Sequence, residues 1–259
     1  MALIDKTFPT MDCSICILGP KMSDVGNHEN ITLITNAEVT DISGYIGNFE
    51  VTIKKRPRYV DEELCTACND CVDICPVNVI DEYSGNLGWR KAIYIPYPQA
   101  VPASYIIDEK NCLGLSPLAC GKCITECEKE AIIYEDTEKI FTYEVGAIIV
   151  AVGFVKFDAS KIPEYGWGRY SNVITTFEFE RLINAAGPTY GDLVRPSDLK
   201  RPNKVAFINC VGSRDERFNP YCSNFCCMET IKDSLLIKEH WPDVEVVIFY
   251  IDIRAFGKG

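Results

Sequence analysis

Apolar positions along the chain come in short runs that suit strands, separated by turns rich in glycine. The β-rich or alternating patterns at 31–35 and 49–53, with Gly44 and Gly47 between them, predict two strands of a small meander. The charged stretch 54–58 then marks a boundary. The pattern therefore predicts a small β unit that ends where a different kind of segment begins.

The segment 57–136 consists of two similar halves. Each half has closely spaced cysteines followed by a short apolar strand, at 77–80 in the first half and at 131–134 in the second. Between the halves, residues 83–107 are punctuated by glycine and proline, which predicts an insertion or a docking loop. This duplication predicts a small domain with a twofold internal repeat.

After the repeat the chain returns to strand patterns. Residues 140–143 predict one strand, and the apolar run 147–153 predicts a strand buried on both faces of a sheet. The repeat is therefore expected to be inserted into an α/β domain that starts before it and resumes after it.

The C-terminal third alternates helix and strand patterns. Thr175 and Glu178 form a capping-box pair at the start of a helix that is expected to run to Ala186 and stop at Gly187-Pro188. A strand, a helix and a second strand are then expected at 204–209, 223–240 and 244–251. The apolar face of that second helix is expected to contain Met228, Ile231 and Leu235. The β–loop–α–β order is typical of the first unit of a nucleotide-binding-type fold.

Length and charge narrow the function classes. The 259 residues, 47% of them hydrophobic, favour about two domains. The net charge of −11 argues against a nucleic-acid binder and suits a carrier that docks on a basic partner surface. No apolar run reaches the roughly 20 residues of a membrane span, and clustered cysteines without a signal peptide indicate a reducing, cytoplasmic setting.

The first cysteine run has the spacing of a cubane iron–sulfur site. Cys65, Cys68, Cys71 and Cys75 follow the C-x2-C-x2-C-x3-C-P pattern, whose fourth cysteine serves a second cluster. The residues that this pattern predicts to hold one 4Fe–4S cluster are Cys65, Cys68, Cys71 and Cys127. The residues that it predicts to hold the other are Cys112, Cys120, Cys123 and Cys75. The alternative is a set of buried structural thiols, or a structural zinc site.

The second run departs from the usual spacing. Seven residues separate Cys112 from Cys120, where two are usual, and Glu128 follows Cys127 in place of proline. The Cys120-x2-Cys123-x3-Cys127 end is intact. The departure predicts an enlarged loop around the second cluster.

Two further groups of cysteines stand outside the repeat. Cys210, Cys222, Cys226 and Cys227 converge on the strand-to-helix turn where a dinucleotide fold would carry glycines, which predicts a third cluster; core thiols or a Cys226–Cys227 disulfide are the alternatives. Cys13 and Cys16 form a lone CxxC, which is compatible with metal ligands whose partners lie elsewhere, a redox dithiol or plain structural thiols.

Together these motifs resemble the A subunit of heterodisulfide reductase, an iron–sulfur flavoprotein family. The segments that carry the resemblance are 5–10, 12–18, 20–22, the ferredoxin run, 210–215, the Cys222/Cys226/Cys227 set and 249–257. The resemblance covers nearly all of the chain. Because the family has sequence on both sides of these motifs, including a GxGxxG segment upstream, the chain is expected to be an N- and C-terminally truncated fragment.

The resemblance implies a thioredoxin-reductase-like core with FAD and several 4Fe–4S clusters. The FAD contact would be Ala151, Val152 and Gly153, which are similar to the small-residue strand end that approaches FAD in two-dinucleotide flavoproteins. The expected domains are an FAD-binding remnant at 1–56 and 137–165, an inserted two-cluster ferredoxin domain at 57–136, and a second nucleotide-binding-like domain at 166–259. The fold class is thus α/β with an inserted ferredoxin-like α+β domain.

The implied function is that of an oxidoreductase component that relays single electrons between FAD and 4Fe–4S clusters. In the family this serves flavin-based electron bifurcation and reduction of the disulfide of two thiol coenzymes, CoB and CoM. The implied partners are the other subunits of a hetero-oligomer, with ferredoxin or a hydrogenase-type protein as electron donor. The alternatives are a subunit of a quinone-interacting oxidoreductase and a flavin-free electron-transfer module.

Overall fold

A computed structural model of the chain describes residues 3–117 and 119–256. It contains two compact units, each described by itself below. The cysteine-rich unit consists of residues 19–80 and 89–153, and the C-terminal unit consists of residues 1–18, 81–88 and 154–259. The cysteine-rich unit also takes in the strands on either side of the repeat, and the expected domain boundaries at 57 and 136 stay a prediction.

The described residues form five α-helices and nine strands. The helices are α1 (Ser14–Gly26), α2 (Asp70–Asp73), α3 (Lys122–Glu126), α4 (Thr176–Ile183) and α5 (Cys226–His240). The strands are β1 (Ala37–Tyr45), β2 (Asn48–Lys55), β3 (Asn78–Ile80), β4 (Trp89–Lys91), β5 (Ile93–Tyr94), β6 (Ile106–Ile107), β7 (Lys139–Val145), β8 (Lys204–Ile208) and β9 (Glu245–Phe249).

Strands β1, β2 and β7 form an antiparallel sheet in the cysteine-rich unit, in the order β1-β2-β7. The strands expected at 49–53 and 140–143 are confirmed as parts of β2 and β7. The prediction of a strand at 31–35 is wrong, because that segment is irregular. Strand β2 already pairs with β1 on one edge and with β7 on the other. Pairing with β2 begins only at Ala37, after Asn36 adopts a φ of 53° and bonds the carbonyls of residues 56 and 57.

The core of the cysteine-rich unit lies between the two halves of the repeat. Strand β3 pairs with β4, and β5 pairs with β6, both antiparallel. The strand expected at 77–80 is confirmed by β3, but 131–134 forms only a single bridge, from Ile132 to Val60. Cysteines from both runs share one buried cluster of side chains with Ile93, Tyr105 and Ala131.

The run 147–153 is not a buried strand. It is irregular, its residues are exposed, and no described strand pairs with it. Ile149 and Val152 each keep about nine-tenths of their surface exposed (91% and 89%). A strand requires hydrogen-bonding neighbours, and the described residues supply none at this place.

Helix α4 begins with the capping box that the sequence predicts. The hydroxyl of Thr175 accepts a bond from the Glu178 N–H at 3.3 Å, and the Glu178 carboxylate accepts a bond from the Thr175 N–H at 2.5 Å. The helix ends at Ile183, three residues before the expected end, because Asn184 turns to an extended ψ of 134°. The amide oxygen of Asn184 then accepts a bond from the N–H of Ala186.

Replacing Thr175 with alanine is expected to lower the free energy of unfolding by about 1 kcal/mol, because the side-chain acceptor of the first turn is lost. Chemical denaturation of the purified chain measures this change. Serine at the same position keeps the hydroxyl and serves as the control, with a change well below that of alanine. Equal losses for both variants would show that the methyl group of Thr175, not the cap, carries the effect.

The C-terminal unit contains the expected β–loop–α–β order. Strands β8 and β9 pair in parallel, with Lys204 opposite Glu245, and α5 lies between them in the chain. Helix α5 begins at Cys226, later than the expected residue 223, because Asn224 has a φ of 53° that no right-handed helix accepts. Strand β9 ends at Phe249 and is only half-buried, so the expected buried strand to residue 251 is too long.

The buried face of α5 differs from the expected apolar face. Leu235 is half-exposed, whereas Glu229, Lys232 and Asp233 are buried. Glu180 of α4 completes this group with no exposed surface. The ammonium group of Lys232 forms ion pairs with Glu180, with Glu229 at 3.0 Å and with Asp233 at 3.5 Å. The ion pairs of this single ammonium group offset part of the cost of burying charged side chains where an apolar face is expected.

Candidate metal centre

Four cysteines from both runs line one cavity, called here the first cysteine cavity. These are Cys65, Cys68, Cys71 and Cys127. The short loop before α2 brings the first three together, because Ala67 and Asn69 adopt left-handed φ values of 55° and 82°. The backbone N–H of Ala131 donates to the Cys127 sulfur at 3.4 Å, which holds that side chain in place.

The other four cysteines of the repeat line a second cavity, called here the second cysteine cavity. These are Cys75, Cys112, Cys120 and Cys123. The two groups are the ligand sets expected from the spacing, while cluster binding in them stays a prediction. Gly114 lies in the enlarged loop, and its N–H donates to the Cys112 sulfur at 3.4 Å. A Cβ atom at Gly114 would collide with the Tyr134 hydroxyl and the Cys120 carbonyl, so the loop requires glycine here.

The electrostatics of both cavities disfavour free thiolates. Burial, together with the nearby Cys65 and Cys68 sulfurs, raises the pKa of Cys71 to about 12. Burial also raises the pKa of Cys123, although the Tyr134 hydroxyl opposes this shift from 3.2 Å. Four sulfurs can ionise together in such a place only if a cation compensates them, and the irons of a 4Fe–4S cluster provide that charge. The residues present therefore fit an iron–sulfur cluster.

The third group of cysteines is partly assembled. The Cys226 sulfur accepts a bond from the Cys210 N–H at 3.4 Å, so these two residues meet at the end of β8. The buried Cys227 sulfur accepts a bond from the Arg254 N–H at 3.4 Å, and the Cys222 sulfur accepts one from the Asn224 N–H at 3.4 Å. All four thiols are free, so the alternative Cys226–Cys227 disulfide is not formed.

Cys13 and Cys16 are joined to each other as a disulfide. In this state neither sulfur is a thiolate that can bind metal. The role of the pair, as metal ligands, a redox dithiol or structural thiols, stays a prediction.

Residues 151–153, the expected FAD contact, lie in the exposed segment described above. Gly153 has a φ of 75°, a conformation that glycine adopts readily. The segment does not end a strand in the structure, so the strand-end geometry that the resemblance implies is absent from the described residues.

The sequence did not single out Tyr134, Gly114 or the buried charges of α5. Tyr134 lies in an expected strand, and nothing in its neighbourhood marks it as a partner of Cys123. Its role depends on the fold of the enlarged loop. Lys232 and Asp233 look like a solvated helix face in the sequence, and only their burial distinguishes them.

The family described as "4Fe-4S binding domain" matches residues 58–81, which contain the whole first cysteine run. The chain is therefore a mixed α/β protein with a ferredoxin-type 4Fe–4S domain. Within the described residues, no helix is both long enough and apolar enough to cross a membrane.

Named relatives match the chain over its whole length. It is 53% identical to the A subunit of the H(2):CoB-CoM heterodisulfide,ferredoxin reductase of Methanothermobacter marburgensis, and 54% identical to the iron-sulfur A subunit of the CoB–CoM heterodisulfide reductase of Methanocaldococcus jannaschii. In both cases the match covers all of this chain and 39% of the relative. It is 49% identical to the A subunit of the Ferredoxin/F(420)H(2)-dependent CoB-CoM heterodisulfide reductase of Methanosarcina acetivorans, of which it covers 32%. The resemblance to the A subunit of heterodisulfide reductase is thereby confirmed, for a chain that spans under two-fifths of these relatives' length.

Proposed function

We propose that this chain relays single electrons through 4Fe–4S clusters, as part of an oxidoreductase of the heterodisulfide reductase type. The observation that carries the proposal is the grouping of eight cysteines into two four-sulfur cavities that share one buried core. Bound clusters supply one-electron redox chemistry. The named relatives act on the CoB–CoM heterodisulfide, and the proposal extends that activity class to this chain.

The residues of the chain hold the clusters close together and shield them from water. Cys71 lies on α2 and Cys123 lies on α3, and both are buried in the same core. Apolar side chains, among them Val60, Ile93 and Ile107, line the cavities. Burial of this kind, with few polar neighbours, keeps solvent away from the sulfurs. Burial and the hydrogen bonds to the sulfurs together set the reduction potential of each cluster.

We further propose a third cluster at Cys210, Cys222, Cys226 and Cys227, and FAD bound beside residues 151–153. The parallel pairing of β8 with β9, joined by α5, is consistent with the thioredoxin-reductase-like core that the resemblance implies. A flavin-free electron-transfer module is the second candidate, and the exposed position of residues 151–153 favours it. The remaining partners are proposed to be other subunits of the same complex, with a ferredoxin-type or hydrogenase-type donor.

Anaerobic purification followed by iron, sulfide and flavin analysis tests this function. About eight irons per chain are expected from the two cavities, and about twelve if the third group also binds a cluster. Stoichiometric FAD after acid release would support the flavoprotein assignment, and its absence beside full iron would support the flavin-free module. Colourless protein that contains zinc and lacks an electron-spin signal after dithionite would overturn the proposal.

Replacing Tyr134 with phenylalanine is expected to shift the reduction potential of the second-cavity cluster to a more negative value. The hydroxyl lies 3.2 Å from the Cys123 sulfur, and a hydrogen bond to sulfur stabilises the reduced, more negatively charged cluster. Redox titration followed by electron-spin resonance measures the shift. The Tyr143→Phe variant of strand β7 removes a hydroxyl outside both cavities and is the matched control, with no shift expected. An unchanged potential in Tyr134→Phe would show that this bond is not made in the loaded protein.

A further inference from the structure

The enlarged loop separates Cys112 from the other cysteines of its own run. In the usual spacing, the first three cysteines of a run share one tight loop, and the loop itself places all three sulfurs. Here seven residues lie between Cys112 and Cys120. Other contacts must therefore fix the position of Cys112 in the second cysteine cavity.

Asp108 fixes the turn that contains Cys112. Its backbone carbonyl accepts bonds from the Asn111 N–H at 3.2 Å and from the Cys112 N–H at 2.9 Å. Its carboxylate accepts bonds from the Lys110 N–H at 3.1 Å and from the side-chain amide of Asn111 at 3.0 Å. The turn 108–112 is therefore held at its first residue, and Cys112 is its last.

Asp108 is in turn anchored by Arg90. The Arg90 guanidinium donates to the Asp108 carboxylate at 2.9 Å, and each side chain is only 12% exposed. The same guanidinium lies over the Tyr94 ring, 3.8 Å from its centroid. Because water has little access to this pair, loss of one partner leaves the other charge poorly solvated and the turn without its anchor.

Arg90 connects this turn to the half of the repeat that contains Cys75. It lies in β4 opposite Val79 of β3, the strand that follows Cys75 in the chain. The Asp108 N–H donates to the carbonyl of Ala92, just after β4, at 2.7 Å. The ion pair therefore joins the two segments that carry Cys75 and Cys112, two sulfurs of the second cysteine cavity that belong to different runs.

We propose that Arg90 and Asp108 are positioning residues for Cys112, and that they hold its sulfur in place as a ligand of the second-cavity cluster. The proposal rests on the cluster binding proposed above for that cavity. Both residues act through the turn 108–112, so without the pair Cys112 is the first of the four ligands to leave. The insertion 83–107 supplies Arg90 and thereby joins the two halves of the repeat.

Iron release from the anaerobically purified full chain tests the positioning role. In Arg90→Gln, the chelator bathophenanthroline disulfonate is expected to remove iron from the second cavity about tenfold faster than in the wild type. Peptide-resolved alkylation should show Cys112 reacting before Cys120 and Cys123, while the cysteines of the first cavity stay protected. Arg90→Lys keeps the positive charge, should show a smaller increase, and decides the question if Arg90→Gln does not fold. Glu38→Gln removes an exposed ion pair of strand β1 and is the matched control, with no change in the rate.

A spectroscopic signature separates positioning from general destabilisation. Ferricyanide takes one electron from a 4Fe–4S cluster in its 2+ state. The cluster then loses one iron as Fe²⁺, which leaves a 3Fe–4S cluster in its 1+ state on three cysteines, and the released thiolate takes up a proton. Arg90→Gln and Asp108→Asn are expected to give a larger electron-spin signal of this three-iron form than the wild type, with unchanged circular dichroism.

The outcomes separate this proposal from the proposed function. Variants that keep second-cavity iron as firmly as the wild type would overturn the positioning role and leave the proposed function standing. Equal reactivity of Cys112, Cys120 and Cys123 in every variant, together with altered circular dichroism, would show a purely structural role and would also overturn it. Wild-type protein without iron in the second cavity would overturn the proposed function, and the positioning role with it.

Discussion

Replacing Cys127 with alanine is expected to empty the cavity that contains Cys65, Cys68 and Cys71, with a loss of about four irons per chain. Cys127 belongs to the second run in the sequence, yet it lines the cavity of the first run. Cys75 has the converse position, because it follows the first run and lines the second cavity. Each substitution should therefore release the cluster held by three cysteines of the other run, not the cluster held by the run to which the replaced residue belongs.

Peptide-resolved alkylation under anaerobic conditions distinguishes the two cavities. In Cys127→Ala the three cysteines 65, 68 and 71 should become reactive, while Cys112, Cys120 and Cys123 stay protected. In Cys75→Ala, Cys112, Cys120 and Cys123 should become reactive, while the three cysteines 65, 68 and 71 stay protected. The Thr66→Ala variant is the matched control, since Thr66 lines the first cavity without offering a sulfur, and its iron content should be unchanged. Reactivity confined to a variant's own run would contradict the crossed arrangement.

Replacing Lys232 with methionine is expected to lower the free energy of unfolding of the C-terminal unit by about 3–5 kcal/mol. Lys232 is 1% exposed and is paired with three buried carboxyl groups. Burial opposes the ionisation of Glu180, but bonds from Asp233 and Lys232 outweigh it and lower the pKa of that carboxyl. Burial, together with the hydrogen bond and the charge of Glu180, raises the pKa of Asp233 well above its ordinary value. Removing the ammonium group leaves the Glu180 charge buried without compensation.

Chemical denaturation of the variants measures this effect. The Lys200→Met variant removes an exposed lysine of the same unit and should change the free energy of unfolding by less than about 0.5 kcal/mol. Combining Lys232→Met with Glu180→Gln should recover part of the loss, since the buried charge is removed together with its partner. Additive losses in the double variant would show that the two groups do not stabilise each other.

Local sequence patterns predicted the elements whose stability is local. The capping box at Thr175 and Glu178 places the start of α4 correctly, because both bonds form within the first helical turn. The strands at 49–53 and 204–209 were found because their β-branched and aromatic residues pack well in a sheet. The patterns failed at 31–35 and 147–153, where apolar residues suit a strand but no strand among residues 3–117 and 119–256 pairs with them.

The candidate site likewise has features that the local sequence predicts and features that depend on the fold. The spacing of the first cysteine run indicated iron–sulfur chemistry, because three thiols on one short loop can reach one cluster without any help from the rest of the fold. The importance of Tyr134 and of Gly114 depends on how the enlarged loop folds back over the second cavity. No local pattern encodes such a contact between segments that are distant in the sequence.

The sequence by itself determined the kind of chemistry, since the type and spacing of the cysteines decide which metal group a loop can hold. It also predicted the resemblance to the A subunit of heterodisulfide reductase, through motifs distributed over nearly the whole chain. Only the tertiary structure decided that a salt-bridged group replaces an apolar face on α5, that Cys13 and Cys16 are bonded, and that residues 147–153 stay exposed. Burial is a property of the packed chain. The same polar or apolar residue has opposite effects on stability at a buried position and at an exposed one.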